Sequence, residues 1–327
     1  MLSWLVVGIG DISRKRVLPA ILAEPNSELA CIVTRDPAKA DAYGVPGFAT
    51  IETALSACNA AAVYIATPVS LHRPQTIAAL RAGKHVLCEK PMALNFAEAK
   101  LMADTAVECG RTLGIAYYRR KYPKVERARQ LLEAGAIGRP VFAEATSHDW
   151  FNPIGTPRAW LADPAMSGGG PLRDIASHRI DLMNYLFGPP ARASVHVSNL
   201  AHQFAVEDNA TAMIEYQSGV RGVVDVRWHS RVSRDEFRIR GTEGEMDLSP
   251  LNGAELVYPG GHESIPAPEN LHFPCVADFV SAVQSGVPPV CPAGAALDVE
   301  WVMDQIAFSD PQSADPDGVK LRAQAKR

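Results

Sequence analysis

Short apolar runs alternate with helical patterns through the first 118 residues. The apolar runs predict buried strands at 3–7, 28–33, 62–66, 86–88 and 112–117. The intervening patterns predict one helix that continues through Leu22 and others at 37–43, 51–57, 74–82 and 97–109. Such alternation with short connections is typical of a doubly wound parallel sheet. Right-handed crossovers would bring the carboxyl ends of the strands to one edge, where these sheets bind ligands.

The pattern changes after residue 118. A helix with Val125, Ala128, Leu131 and Leu132 on one face comes first. Alternating segments then predict strands at 140–150, 191–203, 210–216, 220–229, 236–240 and 245–248, paired as hairpins of an antiparallel sheet. Few helices remain to cover this sheet, so we expect one face to pack on a helix, a partner subunit or both. The predicted divisions are 1–118, 119–308 and a polar tail at 309–327.

Composition narrows the class of protein. A chain of 327 residues accommodates two domains. A net charge of −4 argues against a nucleic-acid surface, and no apolar run is long enough to span a membrane. The first residues lack the basic segment of a signal peptide. Six scattered cysteines without metal-ligand spacing predict no metal site, reduced thiols and a cytoplasmic location.

A glycine turn follows the first predicted strand. Gly8 permits a tight turn, and Gly10 lets backbone approach a pyrophosphate at a helix amino terminus, with Asp11 and Ile12 at the start of that helix. Ser13 replaces the third glycine of the dinucleotide fingerprint. The turn predicts a dinucleotide site.

The second predicted strand ends in Thr34-Arg35, where NAD-binding chains normally carry a carboxylate. A hydroxyl and a guanidinium suit a 2′-phosphate, so the sequence favours NADP(H), with NAD(H) as the alternative. Asp36 comes two positions late and is expected to cap a helix. The next strand ends in Thr67-Pro68, predicted to line the cofactor.

Glu89 and Lys90 end the following strand. An ammonium at this edge can exchange a proton with an alcohol or carbonyl oxygen. A glycine loop farther along opens a helix on which Asp174, His178 and Asp181 share one stripe. An imidazole oriented by carboxylates is a candidate acid or base, and a surface Asp–His pair is the alternative explanation.

The chain resembles the Gfo/Idh/MocA oxidoreductase family over essentially its whole length. The resemblance rests on an ordered set of motifs: Gly8-Ile9-Gly10-Asp11-Ile12, Ala66-Thr67-Pro68 with His72, residues 82–91 ending in Glu89-Lys90-Pro91, Gly135-Ala136-Ile137-Gly138-Arg139-Pro140, residues 168–188, and Gly241-Thr242-Glu243-Gly244. It implies an α/β fold, with an N-terminal Rossmann doubly wound parallel sheet and a C-terminal α+β domain whose open, mostly antiparallel sheet makes the interface of a dimer or tetramer.

The resemblance also implies an NAD(P)-dependent dehydrogenase or reductase for a sugar, polyol or related hydroxy compound. Lys90 matches the family's catalytic lysine, and Asp174 and His178 match its downstream pair. The predicted cofactor contacts are Gly8, Gly10, Asp11, Ile12, Thr34, Arg35, Thr67, Pro68, His72, Glu89 and Lys90. The predicted substrate contacts are Lys90, Tyr118, Arg120, Trp150, Arg158, Asp174 and His178.

Three other functions stay open. One is a glycosidase of the same fold that oxidises and re-reduces its substrate in each cycle. Another is a cofactor-sensing regulator, against which an intact Lys90, Asp174 and His178 count. The last is a dehydrogenase for a non-sugar carbonyl such as a dihydrodiol or a tetrapyrrole.

Overall fold

A computed structural model describes residues 1–307, and the predicted tail at 309–327 lies outside the described residues. The first sheet has six strands, in the order β3-β2-β1-β4-β5-β6, and every pairing is parallel. Its strands are β1 (Leu2–Val7), β2 (Ser27–Val33), β3 (Gly47–Phe48), β4 (Ala62–Ile65), β5 (His85–Cys88) and β6 (Leu113–Ile115). The predicted doubly wound parallel sheet is confirmed, and β3 is an addition to it.

Helices connect these strands. They are α1 (Leu18–Ala23), α2 (Ile51–Ala57), α3 (His72–Arg81) and α4 (Phe96–Glu108), with a π-helical turn at Ser13–Val17 and a 3₁₀ segment at Pro37–Tyr43. Two helix starts follow from their caps: Thr50 Oγ1 accepts from Thr53 N at 3.3 Å, and Asn95 Oδ1 accepts from Glu98 N at 2.9 Å.

The second sheet has eight strands, in the order β14-β13-β12-β11-β7-β10-β9-β8. They are β7 (Pro140–Trp150), β8 (Pro190–Ser198), β9 (Asn209–Tyr216), β10 (Arg221–Arg227), β11 (His229–Gly241), β12 (Glu245–Asp247), β13 (Glu255–Tyr258) and β14 (Gly261–Ser264). The pairings are antiparallel except that of β10 with β7, which is parallel because β7 enters the sheet between β10 and β11. The sequence prediction missed β13 and β14 and extended β8 too far.

Helices of the second part are α5 (Pro123–Glu133), α6 (Pro164–Ser167), α7 (Ser177–Phe187), α8 (Phe273–Ser285) and α9 (Ala293–Met303), with 3₁₀ segments at Tyr118–Lys121 and Ala159–Ala162 and a π-helical turn at Leu172–Ala176. The sequence prediction missed α8 and α9. Helix α8 joins the core of the first sheet, where Phe279 lies 5.4 Å from Trp4, ring centre to ring centre. The predicted division at residue 118 therefore does not separate the two cores completely.

Cys31 and Cys58 form a disulfide, so the expectation of reduced thiols is wrong for this pair. Cys31 lies in β2, and Cys58 follows α2, so two segments 27 residues apart in sequence are joined. No sequence-spacing motif identifies this pair, because the two cysteines are brought together only by the fold. Cys88, Cys109, Cys275 and Cys291 are free. Among residues 1–307, no helix has both the length and the apolar character needed to cross a membrane.

Candidate active site

The carboxyl ends of four neighbouring strands meet at one edge of the first sheet. Gly8 N donates to Val33 O at 2.9 Å, Ala66 N to Val7 O at 2.8 Å, and Glu89 N to Ile65 O at 2.9 Å. These bonds align the residues that follow β1, β2, β4 and β5. The glycine turn, Thr34, Thr67 and Lys90 therefore lie along the same edge, as the strand alternation predicts.

The glycine turn fits a dinucleotide. Gly8 has a φ of +94°, and a Cβ there would lie 2.7 Å from the Ala66 carbonyl oxygen, so a side chain is excluded. A Cβ on Gly10 would meet no atom within 4 Å, so backbone at that position is open to a ligand. Ser13 Oγ donates to Gly8 O at 2.6 Å. Ser13, which replaces the third glycine of the fingerprint, thus stabilises the turn through this hydrogen bond.

A cleft of about 350 Å³ adjoins this turn and is lined by Ile9, Arg14, Lys39, Ala42 and Tyr43. Two basic side chains, those of Arg14 and Lys39, therefore border the cleft, and Arg35 is exposed just after β2. The sequence analysis missed Arg14 and Lys39, whose only sequence signal was their position in the first turns after β1 and β2.

The other predicted cofactor residues on the β1 turn are exposed. Asp11 pairs with Arg14 at 2.9 Å and with Lys15 at 3.4 Å, and Ile12 is 38% exposed. Thr67 and Pro68 are half-buried after β4, and Thr67 Oγ1 donates to Gln75 Oε1 at 2.7 Å.

His72 does not face the cofactor edge. Its ring is 1% exposed, with Nδ1 3.0 Å from Pro91 O and Nε2 2.9 Å from Thr67 O. Burial lowers its pKa. The prediction of a cofactor contact is corrected because both ring nitrogens already face backbone carbonyls. The residue instead joins the loop after β4 to the loop that carries Lys90.

Lys90 contacts Asp174 twice. Its ammonium donates to the Asp174 carbonyl oxygen at 2.7 Å and to Oδ1 at 3.2 Å. Arg158 Nη2 contacts the other carboxylate oxygen at 3.1 Å. Burial would raise the pKa of Asp174, but the charges of Lys90 and Arg158 hold it below its usual value. The structure thus joins three predicted site residues.

Glu89 turns inward. Its carboxylate accepts from Tyr64 Oη at 2.8 Å and lies 3.2 Å from His272 Nε2, and the residue is 7% exposed. Burial acts to raise its pKa, but His272 and Tyr64 hold it below the usual value. The carboxylate anchors the strand end through Tyr64 and His272, and the predicted contact of Glu89 with the cofactor stays a prediction.

His178 is 6% exposed and rests on two aromatic rings, 5.2 Å from Tyr118 and 5.9 Å from Tyr117 between ring centres. Burial, followed by the charge of Lys90, lowers its pKa well below the usual value. Carboxylates do not orient this imidazole as predicted. The π-helical turn shifts the expected helical stripe, and Asp174 is drawn to two cations instead.

Two predicted substrate residues lie elsewhere. Arg120 is 4% exposed and pairs with Asp181 at 2.7 Å, so both are committed to a buried ion pair. Trp150 lies at the end of β7 with Arg231 3.4 Å above its ring. Of the four predicted wall residues, Tyr118 and Arg158 adjoin His178 and Asp174.

A Rossmann sheet with an open glycine turn and a Lys–Asp pair at the same edge defines a nicotinamide-dependent oxidoreductase. A model of an oxidoreductase family with an NAD-binding Rossmann fold matches residues 2–117, and one of the GFO/IDH/MocA C-terminal domain matches residues 125–247. The chain belongs to the Gfo/Idh/MocA family.

Two curated relatives and one solved structure illustrate the similarity. A 1,5-anhydro-D-fructose reductase of Ensifer adhaerens is 31% identical over 87% of this chain and 89% of its own. A D-xylose 1-dehydrogenase (NADP(+)) of Haloferax volcanii is 28% identical over 92% of this chain and 95% of its own. The aldose-aldose oxidoreductase of Caulobacter crescentus, solved with glycerol, has a TM-score of 0.83 and 26% identity over 93% of this chain and 95% of its own.

Proposed function

We propose that this chain transfers a hydride between NADP(H) and a carbinol or carbonyl carbon of a sugar, polyol or related hydroxy compound. The observation that carries the proposal is the Lys90–Asp174 pair at the carboxyl edge of the Rossmann sheet. The named activities of the Ensifer adhaerens and Haloferax volcanii relatives support the substrate class.

Lys90 is proposed to bind the reacting oxygen. An ammonium has three protons, and Asp174 accepts two of them. The third N–H remains for a carbinol or carbonyl oxygen. The two contacts fix the direction of that donor, and the ammonium stabilises negative charge on the oxygen as the carbon is reduced.

The nicotinamide, when bound, supplies or accepts the hydride. His178 is then the proton acceptor during oxidation of a carbinol. Its lowered pKa keeps the imidazole neutral at neutral pH, which is the state that a general base needs. Asp174 retains lone pairs for a second substrate hydroxyl, since each of its carboxylate oxygens contacts a single cation.

NADP(H) is the proposed cofactor because Arg14 and Lys39 line the cleft beside the glycine turn and the exposed Arg35 follows β2. Guanidinium groups form strong charge-assisted hydrogen bonds with a phosphate. The Haloferax volcanii relative is named for NADP(+), which supports this choice.

The test is a turnover screen of the full chain with NADP⁺, NAD⁺ and their reduced forms. The panel contains aldoses, inositols, sugar acids, osones and a trans-dihydrodiol, and the absorbance of reduced nicotinamide is followed. We expect substrate-dependent change with at least one sugar or polyol. Hydrolysis of an aryl glycoside without net change in cofactor would identify a glycosidase, and tight cofactor binding without any turnover would identify a sensor.

A further inference from the structure

Two buried arginines flank the Tyr118–His178 pair and play no part in the chemistry described so far. Arg119 follows Tyr118 in the 3₁₀ segment and is 8% exposed, and Arg179 follows His178 in α7 and is 4% exposed. Both charges act on His178 and lower its pKa, after burial and the charge of Lys90. Both cations are therefore close to the site.

Arg119 has no carboxylate partner among the described residues. Its Nη1 donates to Tyr118 Oη at 2.8 Å, its Nη2 donates to Asn252 Oδ1 at 2.7 Å, and its Nε has no acceptor within residues 1–307. Both acceptors are neutral. A buried cation held only by neutral groups is costly unless an anion arrives to compensate it.

Arg179 shares one carboxylate with this network. Its Nη2 donates to Asp235 Oδ1 at 3.0 Å, and its Nε also has no acceptor in the described part of the chain. Asp235 Oδ2 accepts from Asn252 N at 3.1 Å and from Asn252 Nδ2 at 3.0 Å. Asn252 thus links the two arginines, and the network contains a single carboxylate. Burial and the charge of Arg119 lower the pKa of Arg179 to about 10.

The turn that presents Asn252 is itself held in place. Lys124 Nζ donates to Leu248 O and to Pro250 O, both at 2.8 Å, and the residue is 2% exposed. The arrangement around the two arginines is therefore supported from α5, through Lys124, and from β11, through Asp235.

The charges around His178 do not balance. Lys90, Arg158, Arg119 and Arg179 face two carboxylates, those of Asp174 and Asp235. The buried carboxylate of Glu89 reduces the excess to one positive charge, and it is already bonded to Tyr64 and His272. A neutral polyol does not compensate this excess, whereas an anionic group on the substrate does.

We propose that Arg119 and Arg179 bind a carboxylate of the substrate, so that the substrate class is a sugar acid or related polyhydroxy acid. The inference rests on the proposed hydride transfer at Lys90. The Nε–H of each guanidinium has no acceptor among the described residues, and two such donors can bind the two oxygens of one carboxylate.

The test measures binding, so it does not require turnover. The full chain is saturated with NADPH, and quenching of cofactor fluorescence is titrated with D-gluconate, sorbitol, D-glycerate, glycerol and inorganic phosphate. We expect each acid to bind at least about tenfold more tightly than its neutral polyol, since hydrogen bonds to charged groups are the stronger class. Equal affinity for acid and polyol, or tighter binding of phosphate than of both acids, would overturn the proposal.

Three variants identify the residues responsible. Arg119→Gln and Arg179→Gln should each weaken D-gluconate binding about tenfold or more and leave sorbitol binding nearly unchanged. Asn252→Asp keeps the shape of an exposed side chain and gives Arg119 a carboxylate, so it should also abolish the preference for acids. Arg129→Gln, at a surface arginine of α5 that pairs with Glu133, is the matched control and should change neither affinity.

The binding and turnover results separate the two proposals. Acid binding that Arg119→Gln abolishes, without oxidation of any hydroxy compound, would support the carboxylate site and refute the hydride-transfer function. Turnover of neutral sugars at rates equal to those of the matching acids, with Arg119→Gln unchanged on both, would support the hydride-transfer function and refute the carboxylate site.

Discussion

Arg173 Nη1 donates to Glu300 Oε2 at 2.5 Å, which joins the π-helical turn before α7 to α9. Glu300 Oε1 accepts the backbone N–H of Met92 at 2.8 Å, two residues beyond Lys90. Arg173 immediately precedes Asp174. One buried carboxylate therefore holds both the loop that carries the lysine and the turn that carries its partner.

Replacing Arg173 should lower the free energy of unfolding. Arg173→Met leaves Glu300 and Asp304 without their cation, and removing one partner of a buried pair typically costs about 3–5 kcal/mol. Urea unfolding at pH 8 measures this loss. Arg129→Met is the control, because its exposed i,i+4 pair should be worth under about 1 kcal/mol. Equal unfolding free energies for the two variants would contradict the assignment.

The loss of unfolding free energy in Arg173→Met should depend on pH. Burial raises the pKa of Glu300 to about 7 from 4.5, so the folded parent loses stability as the pH rises through that interval. Without Arg173 this pKa should rise further, and the interval should extend above pH 7. The difference in unfolding free energy between parent and Arg173→Met should therefore widen from pH 6 to pH 8. A constant difference would mean that Glu300 does not ionise near Arg173.

Lys90→Met should remove turnover without unfolding the protein. Loss of a donor that stabilises negative charge on the reacting oxygen typically lowers the rate about 10²- to 10³-fold. NADPH binding should stay close to the parent value because the glycine turn, where the pyrophosphate is proposed to bind, is unchanged. Lys100→Met is the matched control, since Lys100 forms a surface pair with Asp104 at 2.6 Å. Parent-like kcat in Lys90→Met would reduce Lys90 to a structural role.

Arg35→Ala should weaken NADP(H) selectively. Losing a charged hydrogen bond to the 2′-phosphate should cost about tenfold in affinity and leave NAD(H) binding nearly unchanged. Arg81→Ala, at an exposed arginine of α3, is the control. Fluorescence titration of both reduced cofactors provides the constants. The same affinity for NADPH and NADH in the parent would refute the preference before any variant is made.

His178 should leave a distinctive pH profile. Because its pKa lies well below 6.5, the imidazole is neutral at pH 6.5 and above, and kcat/KM for oxidation should fall only in more acidic solution. His178→Asn should lose this acid limb and much of kcat, while its affinity for NADPH remains. An acid limb centred at or above pH 6.5 in the parent would show that another group titrates.

Sequence reasoning located the residues that follow strands. Gly8, Thr34, Thr67 and Lys90 are fixed by strand alternation, because parallel strands bring their carboxyl ends to one edge. The confirmed parallel order of the first sheet is the physical reason for that success. The missed helices α8 and α9 lie beyond the last predicted strand. Helix α8 does carry a stripe at helical spacing, Cys275, Val276, Phe279 and Val280, which the sequence analysis overlooked, whereas α9 is apolar on most sides and shows no distinct stripe.

The arginine contacts of the second part of the chain were harder to predict from the sequence. Arg119 and Arg120 are adjacent, and the short 3₁₀ segment decides that Arg120 is committed to Asp181 while Arg119 reaches Asn252. That choice depends on the local backbone rotation and not on residue type. Asp235 and Asn252 come from distant segments, so no spacing rule joins them to Arg179.

The packing of α8 has a consequence for biosynthesis. Phe279 covers Trp4 and lies against Gly114, so the face of the first sheet is closed by a helix encoded near the far end of the chain. We expect the cofactor domain to remain incomplete on the ribosome until residues 273–285 have emerged. A nascent chain stalled after β6 should therefore expose this apolar face to chaperones, although every strand of its sheet has already been made.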